Sequence, residues 1–210
     1  MTENVKQLTL LSDFKTESPR PLWEQANSLE ELTEIITACR RCRLRDGCHQ
    51  VVCGEGNPKA DIMLVGEGPG KAEDEAGRPF VGAAGRLLDN ILKAVDLSRS
   101  EVFIGNVVKC RPPGNRLPLP DEVKACEPYL RAQLRIIKPK IVICLGALAG
   151  KTLVDPSLRV TRDRGQWVDK DGFLIMPTFH PAALLRDPRK KRPVWEDFQS
   201  VIKRYDQLKA

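Results

Sequence analysis

The order of elements in the sequence predicts an α/β domain, with one largely parallel sheet covered by helices on both faces. Short apolar runs of strand length recur at Ile62–Val65, Val102–Val108, Ile141–Leu145 and Phe173–Phe179. Stretches with apolar residues at helical spacing separate them, and strands joined through helices pair in parallel. The runs themselves are nearly continuous in apolar residues, as befits strands buried on both sides.

Along the chain, residues 1–27 show no clear periodicity and contain Pro19 and Pro21, so they read as a loosely attached arm ahead of one domain over 28–210. Ser28 followed by Glu31 is a capping-box pattern, and Leu29, Leu32, Ile35 and Ile36 share a face of the helix it opens. The first strand ends in Gly66-Glu67-Gly68-Pro69-Gly70, and a helix over about Ala83 to Val95 turns Leu87, Leu88, Ile91, Leu92 and Val95 inward. A long helical stretch from about Pro120 to Ile137 must start, kink or break at Pro128. A short helix through Leu153 follows the third strand. Gln166–Val168 is expected to pair with the fourth strand across Asp169-Lys170-Asp171-Gly172, and a last helix spans about Val194 to Leu208.

Composition narrows the class. The chain has 210 residues, 41% hydrophobic and 30% charged, which excludes wholesale disorder and two full domains. No apolar run approaches the roughly 20 residues that cross a bilayer. The N-terminus carries acids and lacks a signal-peptide core, so the expected compartment is the cytoplasm. Lys and Arg number 34 against 28 acids, a modest excess that permits a nucleic-acid partner without diagnosing one. An odd count of seven cysteines speaks against a disulfide framework and for metal or cluster ligation.

Cys39 and Cys42 form a C-x2-C pair, Cys110 follows the second strand, and Cys126 lies 16 positions further on. Four thiolates so arranged can close a tetrahedral zinc site or grip the corners of an iron–sulfur cluster. Spacing alone also admits sets using Cys48 or Cys53, whereas Cys144 within IVICLG reads as core.

In open parallel sheets, function gathers in the loops after the strands' carboxyl ends. Those loops carry Glu67, the segment from Asn106 to Arg111, and His180. Glu67 lies between two glycines that let a ligand approach the backbone, so its carboxylate is placed to orient water or a ring N–H. A phosphate-cradling loop is the competing reading, but the lysine and hydroxyl of a Walker loop are missing. Phe80, in a loop-like stretch, suits stacking on a flat ligand or plain core packing. Of the two histidines, His49 reads as a loop residue. His180 ends a strand and is held by Pro181, the position of a functional group.

Three stretches, GEGPGKAEDEAGRPFVGAAGRLLD at 66–89, NVVKCRPPGNR at 106–116 and HPAALLR at 180–186, closely resemble the family 4 uracil-DNA glycosylases, the iron–sulfur branch of that superfamily. The likeness runs from about Cys39 to the C-terminus. It implies a three-layer α/β/α sandwich with a central, mostly parallel four-stranded sheet, and a [4Fe–4S] cluster on Cys39, Cys42, Cys110 and Cys126 rather than on Cys48 or Cys53. It further implies that Glu67 and Gly68 border a uracil pocket with Glu73 near its mouth. Phe80 stacks on the base, Asn106 reads its edge, and His180 faces the leaving pyrimidine. Glu67 is the candidate for holding the attacking water.

The implied activity is that of a monofunctional glycosylase acting on uracil in single- or double-stranded DNA and leaving an abasic site, as a monomer in the cytoplasm, nucleoid-associated in a prokaryote. A flipped base leaves a gap that Leu184 or Leu185 would fill, unless both pack on the core. The run from Arg186 to Arg192, with five positive charges against one negative, places Arg186, Arg189 and Lys190 to bind phosphates. The segment RPPGNRLPLPDE at 111–122 lacks the histidine by which a related branch bonds covalently to DNA, so turnover is expected. Residues 1–27 have no family counterpart and would dock a replication or repair protein or remain disordered. The competing classes are a non-catalytic DNA-binding module on the same fold and an iron–sulfur redox protein.

Overall fold

Ile62 to Val65 are almost wholly inaccessible, a burial that one strand achieves only with layers on both faces. The computed structural model describes residues 20–209. Three helices come first, α1 (Leu22–Gln25), α2 (Leu29–Thr37) and α3 (Leu44–Gly47), followed by β1 (Glu55–Gly56) and β2 (Ile62–Gly66). Next are α4 (Lys71–Ala76), α5 (Ala83–Lys93), β3 (Phe103–Asn106), α6 (Pro120–Ile137), β4 (Ile141–Leu145) and α7 (Ala147–Leu153). The chain continues through α8 (Val160–Asp163), β5 (Val168–Lys170), β6 (Phe173–Thr178), α9 (Pro181–Arg186) and α10 (Lys191–Lys209).

The sheet has six strands in the order β1-β3-β2-β4-β6-β5. Its inner four, β3, β2, β4 and β6, are mutually parallel, as the alternation of strand and helix requires. The two edges are antiparallel and raise the expected count of four to six. Neither edge strand has the apolar signature of a buried strand. β1 is two residues long, preceded by Gly54 and ending in Gly56, at φ +131° and +127°. β5 begins two residues later than expected, because the tight turn is Asp171-Gly172 alone, with both residues at positive φ. That geometry is the hairpin turn for which Asp-Gly is suited.

Side chains alternate between two apolar layers. Met63, Val65, Val142 and Cys144 face α2, α6 and α7. Ile62, Leu64, Ile104, Ile143 and Met176 face α5, α9 and α10. α6 runs unbroken through Pro128, with Pro120 in its first turn and Glu122 accepting the Leu119 N–H at 2.7 Å. Within the segment read as an arm, α1 packs on α6: the Trp23 and Tyr129 rings meet edge-on at 5.6 Å and Ala26 is buried. The rest of that segment, residues 1–19, lies outside the described residues. Among those described, no helix is long and apolar enough to cross a membrane.

Because the inner strands are parallel, their carboxyl ends lie along one edge. Gly66 pairs with Asn106, Leu145 pairs with Thr178, and His180 follows two residues later. Glu67, Asn106 and His180, far apart in sequence, therefore emerge side by side.

Candidate active site and cysteine cavity

At that edge lies a cavity of about 480 Å³, within the size range of small-ligand sites. Its walls include Glu67, Gly68, Glu73, Phe80, Asn106, His180 and Arg186, so these sequence-predicted residues meet in one place.

The floor is made by Asn106 and Phe80. Asn106 is buried, and its Oδ1 has no hydrogen-bond partner among the described residues. A buried acceptor left unpaired costs about 1–3 kcal/mol, so this atom is an opening for a ligand's donor. Gly66 permits the arrangement: a Cβ there would overlap Asn106 Oδ1 and lie 2.6 Å from Phe80 Cζ. Phe80 is buried at φ +53°, a left-handed conformation that a bulky residue adopts at a cost, typical of functional sites. Arg99 holds that turn by donating to the carbonyls of Pro79 and Phe80 at 2.7 and 3.0 Å.

Glu73 braces the same turn. Its Oε1 accepts the backbone N–H groups of Val81 and Gly82 at 2.9 and 2.8 Å, and Oε2 accepts that of Gly70 at 3.1 Å. One carboxylate thus ties the two loops that carry Gly68 and Phe80. Among the described residues Glu67 makes no comparable side-chain bonds. Burial pushes its carboxyl above the usual range, against the opposing pull of Arg186.

The ring of His180 lies 5.5 Å from that of Phe80, tilted by 30°. Its Nδ1 accepts the Ala182 N–H at 3.1 Å, capping α9, so in the neutral ring Nε2 carries the proton. Burial lowers its pKa to about 4, with Arg186 adding to the effect and Glu73 opposing it. The group is therefore a neutral N–H donor across the physiological range.

Of the two leucines read as wedges, Leu184 is corrected: it is 1% exposed and packs in the α5–α9–α10 layer, the core packing that was its alternative reading. Leu185, one helical step on, is 49% exposed. Arg186 reaches the cavity rim. Arg189 and Lys190 sit in the short turn after α9, both near Asp187, at 2.9 and 3.7 Å.

Sequence reasoning missed the opposite wall, formed by Pro112, Asn115, Arg116, Leu117 and Pro118. Gly114 and Asn115 both take positive φ, and Arg111 donates to Asn115 Oδ1 at 2.7 Å. Arg116 grips the fully buried Glu122 through two bonds of 2.8 and 2.7 Å, fastening the wall to α6. The signal was present in Pro-Pro-Gly-Asn, a turn sequence flanked by more prolines.

A second, smaller cavity is lined by Cys39, Cys42, Cys110 and Cys126 together, from the α2–α3 link, the β3–α6 loop and α6. Cys53 points elsewhere, toward Thr37 Oγ1 and the Thr33 carbonyl at 3.9 and 4.0 Å. Cys48 is engaged with Arg45 and approaches Cys110 from outside the lining. Cys144 is core. Among the described residues no three His, Cys, Asp or Glu side chains form a ligand group for one metal ion. A cluster asks for something different, sulfurs around a volume rather than around a point. The donor set fits that demand: four thiols, with backbone N–H groups of Arg41 and Lys109 directed at Cys39 and Cys126 Sγ at 3.4 and 3.3 Å. Burial pushes the Cys126 thiol up to about 11 and Cys110 higher still; iron, if held here, would convert such thiols to thiolates.

Residues 53–199 match the Uracil DNA glycosylase superfamily. The Type-4 uracil-DNA glycosylase of Thermotoga maritima is 46% identical over 180 residues, covering 82% of this chain and 94% of that protein. That of Sulfurisphaera tokodaii is 45% identical over 184 residues, 83% of this chain and 84% of the relative. The protein of the same name from Archaeoglobus fulgidus is 38% identical over 182 residues, covering 83% and 92%.

Proposed function

The chain belongs to the Type-4 uracil-DNA glycosylases of the Uracil DNA glycosylase superfamily, and from that premise we propose that it excises uracil from DNA by hydrolysis of the N-glycosidic bond. The observation that carries the reading is the orphaned Asn106 Oδ1 on the pocket floor. Uracil presents an N3–H donor beside an O4 acceptor, which complements an amide offering Oδ1 and Nδ2 in the same order. Cytosine presents a lone pair at N3 and an amine at C4, so each of its groups meets its own kind. Two mismatched buried groups at about 1–3 kcal/mol each are enough to exclude it.

The target base leaves the stack to enter the pocket, and Phe80 supports its face. Leu185 fills the space left behind, and Arg186, Arg189 and Lys190 hold the neighbouring phosphates. As the C1′–N1 bond breaks, its electron pair passes to the base and charge accumulates at O2. His180 Nε2–H donates there, an interaction of a kind worth roughly 2.7–4 kcal/mol. Glu67 holds the water, balances the sugar cation and takes the water's proton as its oxygen bonds to C1′. Glu67 then gives its proton up to solvent and the departing uracil anion takes one from solvent, so the products are free uracil and an abasic site.

Cys39, Cys42, Cys110 and Cys126 would hold a [4Fe–4S] cluster, whose contribution is cross-linking and not chemistry on the base. Asn106 ends β3 and Cys110 lies four residues on, so fastening the cysteines together braces the reading residue as well. Lys109 is buried behind the pocket and does not line it, in keeping with hydrolysis without Schiff-base strand cleavage. The pocket is built within the described residues of one chain, in keeping with a monomeric enzyme of DNA repair. We place that enzyme in the cytoplasm, at the nucleoid, and of residues 1–27, whose α1 packs on α6, we assign residues 1–19 to a protein partner.

Incubating the purified protein in chelator with a uracil-bearing oligonucleotide, then treating with alkali, tests the reading. Breaks at uracil and nowhere else are expected. Binding without breaks would instead identify a non-catalytic module.

A further inference from the structure

Lys109 is 1% exposed, the one buried lysine among the described residues. Burying an ammonium is costly, and no carboxylate there forms an ion pair with it among the described residues. Its Nζ donates instead to two neutral oxygens, the Asn106 backbone carbonyl at 2.6 Å and Gln133 Oε1 at 2.7 Å. The Gln133 amide in turn donates to the Cys53 carbonyl, and the Lys109 backbone N–H is directed at Cys126 Sγ. One residue therefore touches the cysteine cavity with its backbone and the pocket-floor residue with its side chain.

The place it grips is a weak point of the sheet. β1 pairs with Phe103 and Ile104 and with nothing beyond them, so the carbonyl of Asn106 lies past the last pair on that side. The Asn106 side chain departs from the carbon next to this carbonyl. Any tilt of that peptide plane re-aims Oδ1, whose direction decides which base edge is accepted. A charge-assisted bond is the stronger sort of restraint to place there.

We propose that Lys109 is a positioning residue for base recognition, holding the Asn106 carbonyl so that its amide presents Oδ1 to the base, with Gln133 and the Cys126 contact as its anchors. This rests on the functional reading above. Gln133 belongs to the same device from α6, through its acceptance of the ammonium.

The test uses the full, cluster-loaded chain and Lys109→Met, which keeps length and apolar bulk but removes the donor. Three quantities are measured: inhibition by free uracil, affinity for an abasic-site oligonucleotide, and iron per chain. Abasic DNA has no base for Asn106 to read. The uracil inhibition constant should rise about tenfold, the loss expected for a charged hydrogen bond, with abasic affinity and iron content unchanged. A folded, iron-loaded variant with the wild-type uracil constant would overturn the proposal, as would a parallel loss of both affinities, the mark of general damage. Should Lys109→Met fail to fold, Gln133→Met frees one anchor only; a rise of about threefold in the uracil constant alone is expected, and no rise overturns the proposal. A wild-type chain that neither excises uracil nor is inhibited by it would fail the functional reading itself, a result separate from these.

Discussion

The Ala182 backbone N–H donates to His180 Nδ1 at 3.1 Å, and this one bond decides which ring nitrogen faces the pocket with a proton. His180 is held neutral by burial, at about 4, so it has no proton to lose between pH 5 and 8. The acid limb of the excision rate should belong to Glu67, whose carboxyl burial raises above its ordinary 4.5 and which must be ionised to act as base. Rate should fall as pH drops through that raised value, and Glu67→Gln should remove the limb and slow excision about 10²–10⁴-fold. His180→Ala should slow cleavage by about 10²–10³ with less effect on binding. The histidine also bears on stability. The unfolded chain takes up its proton near 6.5 and the folded chain near 4, so stability falls as pH drops between them and is flat above. Melting temperature against pH, with and without His180→Ala, measures that slope.

Gly66→Ala should abolish excision while leaving a folded protein. The new methyl would overlap Asn106 Oδ1 and press on the Phe80 ring, the two groups that make the pocket floor. Far-ultraviolet circular dichroism like the wild type, with no product from a uracil oligonucleotide, is the expected pair of results.

Leu184 and Leu185 should separate cleanly. Leu184→Ala opens a core cavity and should cost about 2–5 kcal/mol of stability by chemical denaturation. Leu185→Ala should leave stability nearly unchanged but slow excision from duplex DNA more than from a single strand, which has no stack to invade.

Cys126→Ser should lose the visible absorption of an iron–sulfur protein and most of its bound iron, whereas Cys53→Ser, aimed at Thr33 and Thr37, should keep both. Absorption spectra with iron quantification distinguish the two.

The strand ends were legible in sequence because apolar runs and helical spacing imply a parallel sheet, and a parallel sheet gathers its carboxyl ends. Those ends place Glu67, Asn106 and His180 at one edge, and all three line one cavity. What escaped depends on meetings between distant segments. Glu73 lines the cavity, but its work is accepting three backbone N–H groups, which no spacing reveals. The choice between Leu184 and Leu185 turns on the phase of a six-residue helix against α5 and α10. The edge strands lack an apolar run to announce them, and the ammonium of Lys109 reads in sequence as one more surface charge.

The most direct test of the account compares matched oligonucleotides carrying uracil, N3-methyluracil or cytosine at one position, scored for alkali-sensitive breaks. Because recognition rests on the donor that N3–H offers to Asn106 Oδ1, uracil should be removed and the other two retained. Removal of N3-methyluracil or cytosine at the rate of uracil would contradict it.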